Sequence, residues 1–187
     1  MSDHGWKKVK EETLFENPWW EYRLFTYDVN GTPCKYHCVY ESEGVMVIPV
    51  RDDGKILMVR QYRALVDQYM TEFVAGGSEN SETVRDAAIE ELAEEGGCQA
   101  GVLEEVGTFA VSPGRTNKIA HIFVASDLRP AYGEGDEVQA LEPLWFSADE
   151  IDHMVDAGEI RDGWTIATWH LARKHVLQLV DQSKKKR

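Results

Sequence analysis

The sequence predicts an α/β (α+β) fold: a mixed β-sheet between helices, preceded by a small β region. Three observations carry this. Two apolar, strand-like runs, 44–50 and 55–62, flank the turn signal Asp52-Asp53-Gly54. A helical stretch follows Ser81 and stops at Gly96-Gly97. Beyond it, strand-like and helix-like segments mix without the strict βαβ alternation of an all-parallel sheet.

Taken in order, residues 17–43 hold two aromatic-rich runs around Asn30-Gly31, a hairpin signal. A lone hairpin is marginal in water, so it is expected to pack on the main domain or on a partner subunit. Residues 44–50 and 55–62 are strands, and 76–81 is a loop whose Ser81 can cap the helix of 82–95. Further strands are expected over 102–111, 119–125 and 144–146, a short helix over 148–157 and a longer one over 165–182. The predicted organisation is a β region at 1–43 in a dimer contact, a main domain at 44–182 and a basic tail at 183–187.

The chain has 187 residues, enough for one domain or one domain with a small appendage. Its net charge is −13, and its last four residues, Lys184 to Arg187, are all basic, so the body is more acidic still. Such a body argues against a sequence-independent grip on nucleic acid. No apolar run reaches the length of a membrane span, and the first residues lack the apolar stretch of a secretory signal. Three cysteines suggest no disulfide framework. A cytoplasmic protein is expected.

The helix of 82–95 is unusually acidic. It holds Glu82, Asp86, Glu90, Glu91, Glu94 and Glu95 against Arg85 alone. Like charges one turn apart destabilise a helix. At about 100° per residue, Glu91 and Glu95 fall inside the apolar arc of Val84, Ala87, Ala88 and Leu92, and Glu94 falls at its border. A solvated face accounts for Glu82 and Asp86, not for Glu91 and Glu95. Half-buried neighbouring carboxylates raise each other's pKa or find a cation. A hard divalent ion suits oxygen ligands, and Mg²⁺ is favoured where phosphates supply the rest. The helix therefore reads as half of a metal site.

Gly76, five residues, Glu82, seven residues, then Glu90-Glu91-Leu92-Ala93-Glu94-Glu95-Gly96-Gly97-Cys98 resembles the box of the Nudix hydrolases. That box reads Gly-x5-Glu-x7-Arg-Glu-U-x-Glu-Glu-x-Gly-U, with U bulky and apolar. Eight of its nine specified positions fit, with Cys98 counted as apolar. The departure is Glu90, where the family has Arg. An Arg there would brace Glu94 one turn on, whereas a Glu adds repulsion.

Other stretches resemble the ADP-ribose pyrophosphatase branch: 44–50, 59–63, 71–77, Ser112-Pro113-Gly114 (Pro113 lies fifteen residues past Cys98) and 158–167. The resemblance implies a Nudix-type α/β/α sandwich and Mg²⁺-dependent (Mn²⁺ as an alternative) hydrolysis of the diphosphate linkage of ADP-ribose or a related nucleoside diphosphate sugar. The products would be a nucleoside monophosphate and a sugar phosphate. It implies Glu91 and Glu95 as metal ligands, the Ala75 carbonyl completing the shell, and Glu94 assisting. The general base would come from the acidic loop 132–137, with Glu134 first and Glu137 second. Arg63 and Arg60 are candidates for phosphate, a strand-edge salt bridge being the other reading of Arg60. Glu72 suits a ribose, a base group or a structural hydrogen bond. Pro113 and Gly114 are expected at the substrate. Arg115, Asn117 and Lys118 would meet phosphate or sugar, or be loop surface. The expected partners are a small nucleotide sugar and a second copy of the chain, with no nucleic acid or membrane.

Other candidates are bland. Trp19, Trp20 and Tyr22 would stack on a base or form hairpin core, with core favoured. Cys34, His37 and Cys38 make a poor metal motif, since one strand face offers only the two thiols. His121, His170 and His175 lack partner motifs. Two functions compete with ADP-ribose hydrolysis: hydrolysis of GDP-mannose or another nucleotide sugar, and a catalytically impaired binding module, which Glu90 favours.

Overall fold

The computed structural model describes residues 4–131 and 141–185. The chain divides into two units, one of Met1–Glu43 with Ala110–Ile119, the other of Gly44–Phe109 with Ala120–Arg187.

The first unit is a three-stranded antiparallel sheet of β1 (Trp6–Glu16), β2 (Trp20–Val29) and β3 (Thr32–Glu41), in the order β1-β2-β3. Asn30 and Gly31 both take positive φ, 53° and 87°, which matches the twist of a tight hairpin between β2 and β3. Sequence reasoning missed β1, because its Lys and Glu residues hide the strand pattern. Almost all of it is exposed, so register and ion pairs rather than a core hold it. Arg23 on β2 reaches Glu11 on β1 at 2.5 Å and Glu21 at 2.7 Å, and its guanidinium lies 3.7 Å from the Tyr40 ring centroid. Trp19, at 69% exposure, is no core residue, and Trp20 and Tyr22 are also exposed. Residues 110–119 lie against β3: Val39 N donates to Arg115 O at 2.9 Å, and Lys118 Nζ meets Glu41 Oε2 at 3.0 Å.

The second unit contains β4 (Gly44–Pro49), β5 (Ile56–Arg63), β6 (Gln68–Glu72), β7 (Val74–Gly77), α1 (Val84–Glu94), β8 (Cys98–Ala110), β9 (Ile119–Pro130), β10 (Glu142–Phe146), α2 (Ala148–Asp156) and α3 (Gly163–Lys185). Two sheets have the orders β7-β4-β9-β8 and β10-β5-β6. The first is mixed, since β4 runs antiparallel to β7 and parallel to β9. Val45, Met46, Val47 and Ile48 are all buried. A strand apolar at every position belongs in a sheet covered on both faces. Val45 and Val47 join Ala87, Ala88 and Leu92 of α1, and Phe123 of β9, in one core cluster. Phe73 meets Trp169 of α3, ring centroids 6.2 Å apart.

The α1 helix is shorter than the expected 82–95, and its cap is Thr83, not Ser81. Thr83 has the extended conformation a cap requires (φ −137°, ψ 160°), and its Oγ1 accepts from Asp86 N at 3.1 Å. Past the helix Gly97 takes φ +59°, the left-handed turn that glycine permits. The hairpin β5–β6 and the short β7 were not distinguished in the sequence, because 71–77 was legible only as a motif.

Asp152 joins α2 to α3. Its carboxylate accepts from Trp169 Nε1 at 2.8 Å and from Arg173 Nε and Nη2 at 2.7 and 2.5 Å. The Arg173 hydrogen bonds hold its pKa below the usual value, against the opposing effect of burial. A depressed folded-state pKa adds stability above the unfolded value, and that stability is lost as pH falls through the folded value. Asp152→Asn should therefore cost about 1 kcal/mol at pH 7. Urea titrations at pH 7 and near pH 3 should show the gap between variant and wild type closing at the lower pH.

Candidate active site

Three consecutive residues of the edge strand β7 meet carboxylates. Ala75 N donates to Glu95 Oε2 at 2.9 Å. A Cβ on Gly76 would overlap the Glu91 carboxylate, and one on Gly77 would overlap that of Glu79. Glycine at 76 thus lets α1 lay Glu91 directly against the strand backbone. Glu91 and Glu95 are half-buried and Glu90 is exposed, as the helical wheel predicts, while Glu94, placed at the border of the apolar arc, is exposed. Helix periodicity explains the pairing: 91 and 95 are one turn apart on the face that Leu92 and Ala88 bury.

Among the described residues no three His, Cys, Asp or Glu side chains form a cation cage by themselves. The donor set still fits a hard cation. Mg²⁺ is commonly held by one or two carboxylates with water and substrate phosphate supplying the rest. Two carboxylates pressed onto a glycine-bared backbone offer that minimum.

Glu72 is 3% exposed and takes both donors of one edge of Arg63, Nε to Oε1 at 2.9 Å and Nη2 to Oε2 at 2.5 Å. This two-pronged pair raises the Arg63 pKa, with smaller contributions from the charges of Glu95 and Asp162. Arg63 is therefore within electrostatic reach of Glu95, and Glu72 is its anchor. Arg60 lies against the Tyr69 ring at 4.6 Å and meets Glu142 at 3.3 Å, so the strand-edge salt bridge is present.

Glu90 has a partner that sequence reasoning missed: Ser81 Oγ donates to its Oε2 at 2.5 Å. The expected repulsion is thus met by a local donor. Glu134 and Glu137 lie outside the described residues. Pro113 and Gly114 belong to the first unit, where Pro113 lines a cleft with Trp6, Tyr27 and Tyr36. Asn117 bonds the backbone of Glu41 through N and O atoms at 2.8 and 2.9 Å, as Lys118 bonds its side chain. His121 Nδ1 pairs with Glu105 at 2.8 Å, a sheet-surface role.

The NUDIX domain family matches residues 41–165. The chain therefore belongs to the Nudix family, and its class is that of a Nudix pyrophosphohydrolase. It is 32% identical over 178 residues to the ADP-ribose pyrophosphatase of Bacillus subtilis (strain 168), covering 92% of this chain and 95% of the relative. It is 30% identical over 176 residues to a GDP-mannose pyrophosphatase of Salmonella paratyphi A (strain ATCC 9150 / SARB42), covering 84% and 90%. A crystal structure of ADP compounds hydrolase superposes with a TM-score of 0.79 at 25% identity, covering 95% of this chain and 97% of that one. Among the described residues no helix is long and apolar enough to cross a membrane.

Proposed function

We propose that this protein hydrolyses the diphosphate linkage of ADP-ribose or a closely related nucleoside diphosphate sugar, with Mg²⁺ held by Glu91 and Glu95. The observation that carries the reading is the Glu91 carboxylate seated on Gly76 beside Glu95, which sits on the Ala75 amide. A bound Mg²⁺ would neutralise diphosphate charge and lower the pKa of a coordinated water. Glu91 and Glu95 supply oxygen ligands, the Ala75 carbonyl a third, and exposed Glu94 assists from the same helix. Arg63, oriented by Glu72, is the proposed phosphate contact, since a guanidinium fork matches phosphate oxygens. Arg60 is a second, weaker candidate. Glu134, with Glu137 as alternate, is the proposed base that takes a proton from the attacking water. Water adds across the P–O–P bridge, giving a nucleoside monophosphate and a sugar phosphate.

The similarity to GDP-mannose pyrophosphatases favours a second substrate reading, the same reaction on GDP-mannose. A panel of nucleotide sugars separates them, with products detected by phosphate release through alkaline phosphatase, in Mg²⁺ and in EDTA. ADP-ribose is expected to turn over fastest, and only with metal. No Mg²⁺-dependent turnover of any member would overturn the reading in favour of a binding module.

The three cysteines are free, which supports a reducing compartment such as the cytoplasm. A homodimer through the first unit is also proposed, since Trp6 and Phe15 of its sheet and Trp19 in the turn before β2 are exposed. Light scattering at micromolar concentration should give twice the chain mass; a monomer would refute it.

A further inference from the structure

Loop 78–83 joins β7 to α1, and it is tied down at two places. Ser81 N donates to Ser78 O at 3.3 Å, closing a turn, and Thr83 caps the helix. Ser81 Oγ then reaches past the first turn of α1 to Glu90 Oε2 at 2.5 Å. Residue 90 lies roughly two turns beyond the cap. The loop therefore folds back along the helix instead of simply leading into it.

The charge pattern gives this contact its weight. Asp86 and Glu94 lie one turn on either side of Glu90, an unfavourable place for a third carboxylate. A hydroxyl donor offsets part of that cost, because hydrogen bonds to an ionised acceptor are stronger than neutral ones. The other end of the loop is the catalytically important one. Gly77 leads directly into it, and Gly76 is the residue on which Glu91 rests.

We infer that Glu90 is a positioning residue: through Ser81 it clamps loop 78–83 along α1 and so holds Gly76 in register beneath Glu91. The residue that departs from the Nudix box is thus an adapted brace of this site rather than a mark of lost activity. The inference rests on the reading of α1 as the catalytic helix. Small displacements of such a site affect rate more than stability.

The test is a double-mutant cycle of Ser81→Ala and Glu90→Ala, with Glu90→Gln as the conservative variant. Two quantities are read: kcat and KM on the best nucleotide sugar, and amide hydrogen exchange of the peptide covering 78–83. Each alanine variant should lower kcat about three- to tenfold with KM unchanged, and speed exchange of 78–83 by a similar factor. The double variant should be no worse than the worse single one, because both remove the same bond. Glu90→Gln keeps an acceptor oxygen and should retain most of the rate. Unaltered exchange in both single variants, effects that multiply in the double one, or Glu90→Gln as damaging as Glu90→Ala would overturn the clamp. If the wild-type protein hydrolyses no diphosphate at all, the functional reading fails, and the exchange cycle still decides the clamp on its own.

Discussion

Glu95→Gln should lower kcat by about a hundredfold or more at saturating Mg²⁺ while leaving the fold intact. Loss of a group that only supports a metal ligand already costs about ten- to a hundredfold, and Glu95 is proposed as a ligand itself. The fold is expected to survive because the hydrogen bond from the Ala75 amide needs an acceptor, not a charge. Ala75 N donates to Glu95 Oε2, and the glutamine side-chain oxygen can accept the same bond. Relief of like charge along α1 adds a few tenths of a kcal/mol of stability in metal-free protein. Turnover, Mg²⁺ titration and thermal melting of the variant check all three parts. Wild-type turnover in Glu95→Gln would remove Glu95 from the chemistry.

Gly76→Ala has an effect of similar size for a steric reason. The new methyl would occupy the space of the Glu91 carboxylate. That carboxylate is the end of a flexible side chain, so it can swing aside and the backbone need not move. Thermal stability should change little. Activity should fall about a hundredfold, since displacing a catalytic group by about 1 Å is enough for such a loss. Gly77→Ala is the matched control. Its methyl would displace Glu79 instead, and Glu79 is not among the proposed ligands, so the loss should be far smaller. Steady-state kinetics on the two variants check the comparison, and equal losses would mean that loop disorder, not the Glu91 position, sets the rate.

The parts of this molecule legible in the sequence are those governed by local periodicity. The apolar arc of α1 separates half-buried Glu91 and Glu95 from exposed Glu90, and a helical wheel needs nothing beyond chain order to find it. Strand β4 and the first half of β5, 56–59, stand out as apolar runs because they are buried at every position. What stayed hidden depends on contacts distant in sequence or on competition between neighbours. β1 is charged along its length and exists because Arg23 and the β2 register hold it. Ser81 and Thr83 are both competent caps, and only backbone conformation decides for Thr83. The Arg63–Glu72 pair is not legible in the sequence: Arg63 suggested a phosphate contact, and the structural hydrogen bond that was one reading of Glu72 had no partner assigned. Strand register gives no signal for the pair either, since Arg63 lies opposite Gln68 while Glu72 lies opposite Val59, four positions away. The Ser81–Glu90 bond likewise needs the loop to fold back, which spacing alone does not reveal.

The central claim is that Glu91 and Glu95 together hold the divalent cation this hydrolysis needs. Its most direct test is uptake of Mn²⁺, followed by the loss of the free-ion EPR signal, in wild-type protein and in Glu91→Gln/Glu95→Gln, each with its fold checked by circular dichroism. The wild-type protein should remove the free signal, and the folded double variant should leave it intact. Equal uptake by both proteins would contradict the claim.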